Sequence, residues 1–244
     1  MLKTVCQRKT ANNIAKVRAR IQQAARENAR DVKDIQLLAV SKTRSVEDIK
    51  EAFAAGISDL GENYAQEAET KIKALGDLPL TWHFIGPVQS NKTEIIARHF
   101  TWLHSLDRLK IAERLSRQRQ PSQAPLNVCI QINIDDEAAK SGIQPAELPA
   151  FAAELVTLPH LSLRGLMAIP APVSQDQLKC AFSRMRTLFQ ALQQQFPKQQ
   201  YPQLNIDTLS MGMSADLELA IAEGSTLVRI GTDIFGPRHE HSQD

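Results

Sequence analysis

Two spacings of apolar residues alternate along the chain. Short continuous apolar runs are followed, after a polar break, by stretches in which apolar residues return every third or fourth position. The first spacing is that of strands buried on both faces, the second that of helices with one buried stripe. A helix over about 12–28 comes first, with Ile14, Val17 and Ile21 on one face and Lys16, Arg18 and Arg20 opposite. "QLLAVSK" (36–42) is the first strand, and Ser45 or Thr43 caps a helix carrying Val46, Ile49 and Phe53 that stops at Gly56. "ISDLGEN" (57–63) is the second strand, followed by a helix to about Leu75. "LTWHFIG" (80–86) is the third, with Asn91 or Ser90 capping a helix through Ile95 and Ile96. "TWLHSL" (101–106) is the fourth, with Asp107 opening the next helix.

"PLNVCIQINI" (125–134) is the fifth strand; a polar loop over 135–145 and a helix with Leu148, Phe151, Leu155 and Val156 follow it. "LSLRGLMAI" (161–169) is the sixth, before a long helix with Leu178, Phe182, Met185, Phe189 and Leu192 on one face. "IDTLSMG" (206–212) is the seventh, with a short helix from Asp216 to Ala222, and "STLVRIG" (225–231) is the eighth. An open doubly wound sheet fits the alternation alone. Eight strands and eight helices, counting the one before the first strand, with no polar linker long enough to split the chain, favour an α/β fold closed as a single (β/α)8 TIM barrel. The expected organisation is one domain over 1–244, with the N-terminal helix at about 12–28 and a short frayed tail at 239–244.

The length of 244 residues and 43% hydrophobic content suffice for one sizeable core. The net charge of +2 comes from interspersed acidic and basic residues and does not argue for nucleic acid. The basic stretch from Lys3 to Arg30 reads as a solvated helix face. The three cysteines, Cys6, Cys129 and Cys180, imply neither a disulfide framework nor a thiolate metal site. No apolar run is long enough to span a membrane, and the start of the chain is too polar for a secretory signal. A cytoplasmic protein without nucleic-acid or membrane partners is expected.

In such a barrel functional residues sit where strands finish. Those positions hold Lys42, Asn63 with Glu62, His83 followed by Gly86, Ser105, Asn133, Met167, Ser210 to Ser214, and Arg229 to Thr232. "SMGMSAD" and "RIGTDIFG" follow the seventh and eighth strands, where barrels commonly bind phosphate. Gly212 and Gly231 allow close backbone approach, while Ser210, Ser214 and Thr232 offer hydroxyls; turn amides there form an anion cradle. A lysine amine in a partly apolar pocket can attack a carbonyl. A carbonyl compound bearing a phosphate, as pyridoxal phosphate does, would use both Lys42 and the two loops. Arg229 is either a partner for the ring nitrogen of such a compound, which it would leave unprotonated, or half of a buried ion pair with Glu218, Glu223 or Asp207. His83 reads equally as a base or as a hydrogen-bonded core residue. The histidines show no metal-ligand spacing, so no metal is expected, and no dinucleotide fingerprint is present.

With these residues in place the chain resembles a known family. "AVSKT" (39–43), "GENY" (61–64), "WHFIGPVQSNK" (82–92), "HSLD" (104–107), "GLMAIP" (165–170), "SMGMSAD" (210–216) and "RIGTDIFG" (229–236) are together those of the pyridoxal phosphate homeostasis proteins, also called the YggS/PROSC type. These are similar to the N-terminal barrel of alanine racemase, a fold type III PLP-binding barrel, and the resemblance runs from about Ile35 to Arg238. It implies that Lys42 carries pyridoxal 5'-phosphate (PLP) as an internal Schiff base. It implies that Ser210, Gly212, Ser214, Gly231 and Thr232 hold the phosphate, that Arg229 approaches the pyridine nitrogen, and that Asn63, His83 and Met167 line the pocket. Lys140 matches a lysine of the family's strand-five loop, without assigned chemistry, and Asp135 replaces the serine of the usual "NISDE".

The implied role is intracellular PLP (vitamin B6) homeostasis without catalytic turnover, as a monomer, with PLP-dependent apoenzymes as possible recipients. The alternatives are an amino-acid racemase or other weak PLP enzyme, and a barrel enzyme acting on a sugar phosphate. Racemisation needs a base on each side of the reacting carbon. The related racemases supply the second, a tyrosine, from a further domain for which this chain has no expected counterpart. The tyrosines here are Tyr64 and Tyr201, and nothing in the sequence aims Tyr64 at a cofactor.

Overall fold

A computed structural model describes residues 2–135, 141–171 and 173–237, with side chains from Lys9 onward. The tail at 239–244 and Lys140 lie outside the described residues. Eight parallel strands close in sequential order: β1 (Gln36–Val40), β2 (Asp59–Glu62), β3 (Thr81–Phe84), β4 (Trp102–Leu106), β5 (Leu126–Gln131), β6 (Leu161–Met167), β7 (Thr208–Ser210) and β8 (Leu227–Ile230). Closure pairs Leu38 with Arg229 and Ala39 with Ile230, which brings the end of the first strand beside the end of the last. The strands are shorter than the apolar runs that encode them. Ser41 and Lys42 stand beyond β1 in the turn, and Gly212 and Gly231 stand beyond β7 and β8.

The helices are α1 (Leu2–Glu27), α2 (Val46–Ala54), α3 (Ala65–Ala74), α4 (Thr93–His99), α5 (Leu109–Gln118), α6 (Leu148–Leu155), α7 (Gln175–Gln195), α8 (Leu217–Ala222) and α9 (Thr232–Phe235). Ser45 caps α2 in a reciprocal capping box with Asp48; Thr43 instead adopts a left-handed conformation, φ 61°. Neither Ser90 nor Asn91 caps α4, because a 3-10 turn over Ser90–Lys92 precedes it. Helix α9 has no counterpart among the sequence expectations, since four residues carry no periodicity.

Helix α1 starts well before residue 12 and takes the place of the eighth helix of the outer ring. It packs between α8 and α9 on one side and α2 on the other, over the seam where β8 meets β1. Ile14, Val17, Ile21, Ala24 and Ala25 are its buried stripe, each large aliphatic contributing about 1.5–3 kcal/mol of burial. Of its basic residues, Lys9, Lys16, Arg18 and Arg26 are exposed, as expected of a solvated face, but Arg18 and, just beyond the helix, Arg30 also bind main-chain carbonyls. Arg18 donates to Gly56 O at 2.6 Å, and Arg30 donates to Ile221 O and Ser225 O at 2.8 and 2.6 Å.

Barrels of this class usually fill their interior with branched aliphatic residues. Here an aliphatic cluster of Leu38, Ile85 and Leu227 with Val40 shares the interior with buried polar groups. His83, His104, Ser210 and Arg229 are all at most 4% exposed. That polar floor lies beneath the strand ends singled out by sequence.

Candidate functional site at the strand ends

Lys42 is half-buried, two residues past the end of β1. Across the closing seam from the end of β1 lies the turn after β8, where a side chain at Gly231 would meet Val40 at 3.4 Å. The two loops expected to hold a phosphate are tied together from behind by Arg20 of α1. Its guanidinium donates to Glu218 at 2.6 and 2.9 Å, to Asp233 at 2.6 Å and to Ser214 O at 2.9 Å. Asn13 of the same helix donates to Ile234 O at 3.0 Å. The N-terminal helix therefore braces the loops after both β7 and β8. Periodicity counted Arg20 as polar surface, so only its tertiary partners reveal this role.

Ser214 is half-buried, Gly231 half-buried and Thr232 exposed, all at the rim. Thr232 opens α9, and the first amides of a helix have no acceptor within it. Ser210 is placed differently. Its hydroxyl is buried inside the barrel, accepts from Arg229 Nη1 at 2.8 Å and bonds His104 at 2.9 Å. Its side chain thus belongs to the floor rather than to a rim cradle, because Ser210 ends β7 in an inward-facing position. Gly212 has φ +96°, and a β-carbon there would come within 2.5 Å of Ala220 Cβ on α8. Gly212→Ala is expected to cost about 1–3 kcal/mol in urea unfolding and to weaken anion binding by this loop in the same samples.

Arg229 is 4% exposed and makes no ion pair with any of its three expected carboxylate partners. Glu218 pairs with Arg20, Glu223 with Arg186 and Asp207 with Arg164. Its guanidinium instead donates to Ser210 O at 2.7 Å, Ser210 Oγ at 2.8 Å and Ala168 O at 2.9 Å, satisfying β6 and β7 at their upper ends. Burial pulls its pKa down to about 10, so it stays charged at neutral pH. Three of the five N–H donors of an arginine are thereby used; two remain uncommitted among the described residues.

From Arg229 a hydrogen-bonded chain crosses the barrel. His104 Nδ1 bonds Ser210 Oγ at 2.9 Å, His104 Nε2 meets His83 Nδ1 at 3.0 Å, and His83 Nε2 reaches Asp59 Oδ1 at 3.2 Å. His83 also stacks on Trp102 with centroids 5.4 Å apart. Burial lowers the pKa of both histidines, that of His104 well below its ordinary value, where the nearby His83 and Arg229 act in the same direction. Burial alone would raise the pKa of Asp59, yet hydrogen bonds from His83, Ser58 and Gln36 outweigh it and hold the carboxylate below its usual range. With both imidazoles neutral, one order of donors satisfies every contact. Arg229 donates to Ser210, Ser210 to His104, His104 to His83, and His83 to the Asp59 carboxylate. His83 is consequently a core residue rather than an available base.

Met167 is fully buried against Trp102 and Cys129, also in the floor. Asn63 is half-buried just past β2, with a buried Oδ1 that has no partner among the described residues. Lys42, Asn63 and the turns after β7 and β8 thus lie just past the ends of their strands, while Arg229, His83, Met167 and Ser210 are buried within or at the ends of theirs. Asp59, His104 and Arg20 were missed by sequence reading. The first two occupy inward positions of their strands, a period-two signal that could have found them. No group of three or more His, Cys, Asp or Glu among the described residues is placed to hold a metal, and no described helix is long and apolar enough to cross a membrane.

The family model described as alanine racemase, N-terminal domain, matches residues 11–239. The pyridoxal phosphate homeostasis protein of Pseudomonas aeruginosa is 56% identical over 229 residues, covering 93% of this chain and 95% of that protein. PipY of Synechococcus elongatus PCC7942, solved with PLP bound, is 38% identical and superposes with a TM-score of 0.78 over 93% of this chain and 100% of that one. The alanine racemase of Clostridium difficile shares the fold, with a TM-score of 0.71 at 17% identity; 97% of this chain covers 58% of that racemase.

Proposed function

The chain belongs to the pyridoxal phosphate homeostasis family, whose barrel is of the alanine racemase N-terminal type, and we propose that it holds PLP through Lys42 in the service of cytoplasmic vitamin B6 balance. The observation that carries this reading is the seam between β1 and β8. It brings Val40, two residues before Lys42, against the Gly231 turn, with the buried Arg229 paired to Leu38 one level below. The donor set suits the group: an amine for the aldehyde, two small-residue turns for the phosphate and, on Arg229, two guanidinium N–H groups uncommitted among the described residues. Asn63 Oδ1 adds a buried acceptor lacking a partner among the described residues. Within the turns, Gly212, Ser214, Gly231 and Thr232 hold the phosphate, and Ser210 acts from below by fixing Arg229.

When bound, PLP supplies a carbonyl that an amine can capture and a ring that can withdraw electrons. A charged arginine has no acceptor for a ring-nitrogen proton, so the ring nitrogen stays unprotonated and withdraws weakly. Proton transfer at an amino-acid carbon also needs a base on each face. His83 and His104 are enclosed in the floor and bonded to each other, and Tyr64 is 56% exposed at the rim. This arrangement supports retention of the cofactor rather than turnover, and the reading is of a monomeric carrier that hands PLP to PLP-dependent apoenzymes.

Titrating PLP into the purified chain is expected to produce the visible absorption of a lysine imine. Borohydride reduction should fix the cofactor on the peptide containing Lys42, and Lys42→Ala should abolish both signals. A chain that stays colourless sinks the reading. Exchange of amino-acid α-protons at about 1 per second or faster would overturn the carrier role in favour of an enzyme.

A further inference from the structure

Behind Lys42 lies a cluster of charges that the proposed chemistry does not use. Glu62 at the end of β2 is 0% exposed and Lys71 of α3 is 5% exposed. The Lys71 ammonium donates to Ser41 O at 2.7 Å, Glu62 Oε1 at 2.7 Å and Glu67 Oε1 at 2.6 Å. Those are the three bonds an ammonium can donate. Ser41 Oγ donates to the same Glu62 oxygen at 2.6 Å, and Ser41 N donates to Gly61 O at 2.9 Å. On the other side of Lys42, Thr43 N donates to Glu67 Oε1 at 2.6 Å.

These bonds fall on the two peptide groups that flank the Lys42 α-carbon. The carbonyl of the peptide before it is held by Lys71 and, at 3.1 Å, by Arg44 N, and the N–H of the peptide after it is held by Glu67. With both planes fixed, the backbone torsions of Lys42 are fixed. Thr43 is kept left-handed at φ 61°, a conformation unusual for a β-branched residue. On its outer side the loop borders open space rather than packed core. A cavity of about 640 Å³, lined in part by Thr43, Arg44, Thr70 and Lys71, lies on the outer side of the loop.

A buried ion pair is rarely better for stability than apolar residues of the same volume. Burial also works against Glu62 here, raising its pKa despite Lys71 and Ser41. A costly polar cluster that touches both peptides of one residue is explained by geometry at that residue. We propose that Ser41, Glu62, Glu67 and Lys71 form a clamp that positions Lys42 for capture of the cofactor aldehyde. The proposal rests on the assignment of Lys42 above, and the four are positioning residues.

Glu67 is the member to test, because its side chain is 29% exposed and its loss leaves the buried Glu62–Lys71 pair in place. In Glu67→Ala, imine formation with PLP should slow roughly tenfold, the scale of a modest misplacement of a reacting group. Glu67→Gln keeps an oxygen for Thr43 N and should stay within about twofold of wild type on the same scale. Two measurements need no cofactor. In the apo chain, Thr43 amide hydrogen exchange should be protected in wild type and lost in Glu67→Ala. Acylation of Lys42 by an amine reagent, followed by peptide mass spectrometry, should change rate in Glu67→Ala and not in Glu67→Gln. A shift in the urea midpoint of Glu67→Ala with unchanged Lys42 acylation and imine kinetics overturns the clamp, as does Glu67→Gln behaving like Glu67→Ala. A wild-type chain that forms no imine fails the carrier reading instead, and Lys42 acylation then still decides the clamp.

Discussion

Arg229→Leu is expected to destabilise the chain by about 2–5 kcal/mol, seen as a lower urea midpoint of the apo protein. Leucine removes three donated bonds at once, to Ser210 O, Ser210 Oγ and Ala168 O. Ser210 O keeps a second donor, since Ala168 N reaches it at 3.2 Å. Ala168 O and Ser210 Oγ lose their arginine donor inside a region with no solvent access, and each such group costs about 1–3 kcal/mol. Release of a buried charge offsets part of this, which sets the lower end of the range. Arg229→Lys should fall between the two, because one ammonium cannot span Ala168 and Ser210 as the planar fork does. If the midpoint of Arg229→Leu is unmoved, the guanidinium does not hold β6 and β7 together. The same variant should bind PLP more weakly, since the uncommitted N–H pair assigned to the ring is lost with it.

The architecture was legible because a barrel writes itself in local patterns. Each buried strand is a short apolar run, each outer helix a stripe, and their strict alternation leaves few topologies. The positions of Lys42 and of the turns at Gly212 and Gly231 just past their strands were legible for a related reason: a one-dimensional reading can locate strand ends. The interior was not. Asp59, His83, His104, Ser210 and Arg229 sit in five different strands, and the His104–Ser210 contact spans 106 positions of sequence. In any one strand a single polar residue looks like a surface position or a stray charge, which is why the sequence leaves three carboxylates open as partners for Arg229. The clamp on Lys42 was half legible. Glu67 and Lys71 have the spacing of an ordinary helical ion pair, but only the structure brings the main chain of Ser41 and Thr43 to that pair. Arg20 shows the same limit, since helical periodicity assigns it a face without saying that the loops after β7 and β8 cover it.

Acid should weaken this fold well before its carboxylates as a group are protonated. His83 and His104 are both fully enclosed, and burial lowers both pKa values. Below the ordinary histidine range, near 6.5, the unfolded chain binds protons at these two residues more readily than the native floor does. Stability therefore rises with pH in that interval and is lost as pH falls through it. Each imidazole that stays neutral costs about 1.4 kcal/mol for every pH unit below that range, and the two together cost up to about twice that slope. The half-buried His99 shifts in the same direction, also through burial, and adds to the loss. Asp59 acts later. Its lowered pKa contributes stability above the ordinary aspartate range, and that contribution disappears as pH falls through the folded value. Protonating either histidine also removes an acceptor: His83 Nδ1 can no longer receive His104, or His104 Nδ1 can no longer receive Ser210. Because Ser210 carries Arg229, the loss should reach the cofactor site as well as the core. Urea unfolding of the apo chain at a series of pH values between about 7 and 5 should give this steep decline. His104→Gln, which cannot titrate, should start less stable and show about half the slope. A wild-type stability that stays level across that interval would mean that the floor accepts protons, and that its donors do not run one way from Arg229 to Asp59.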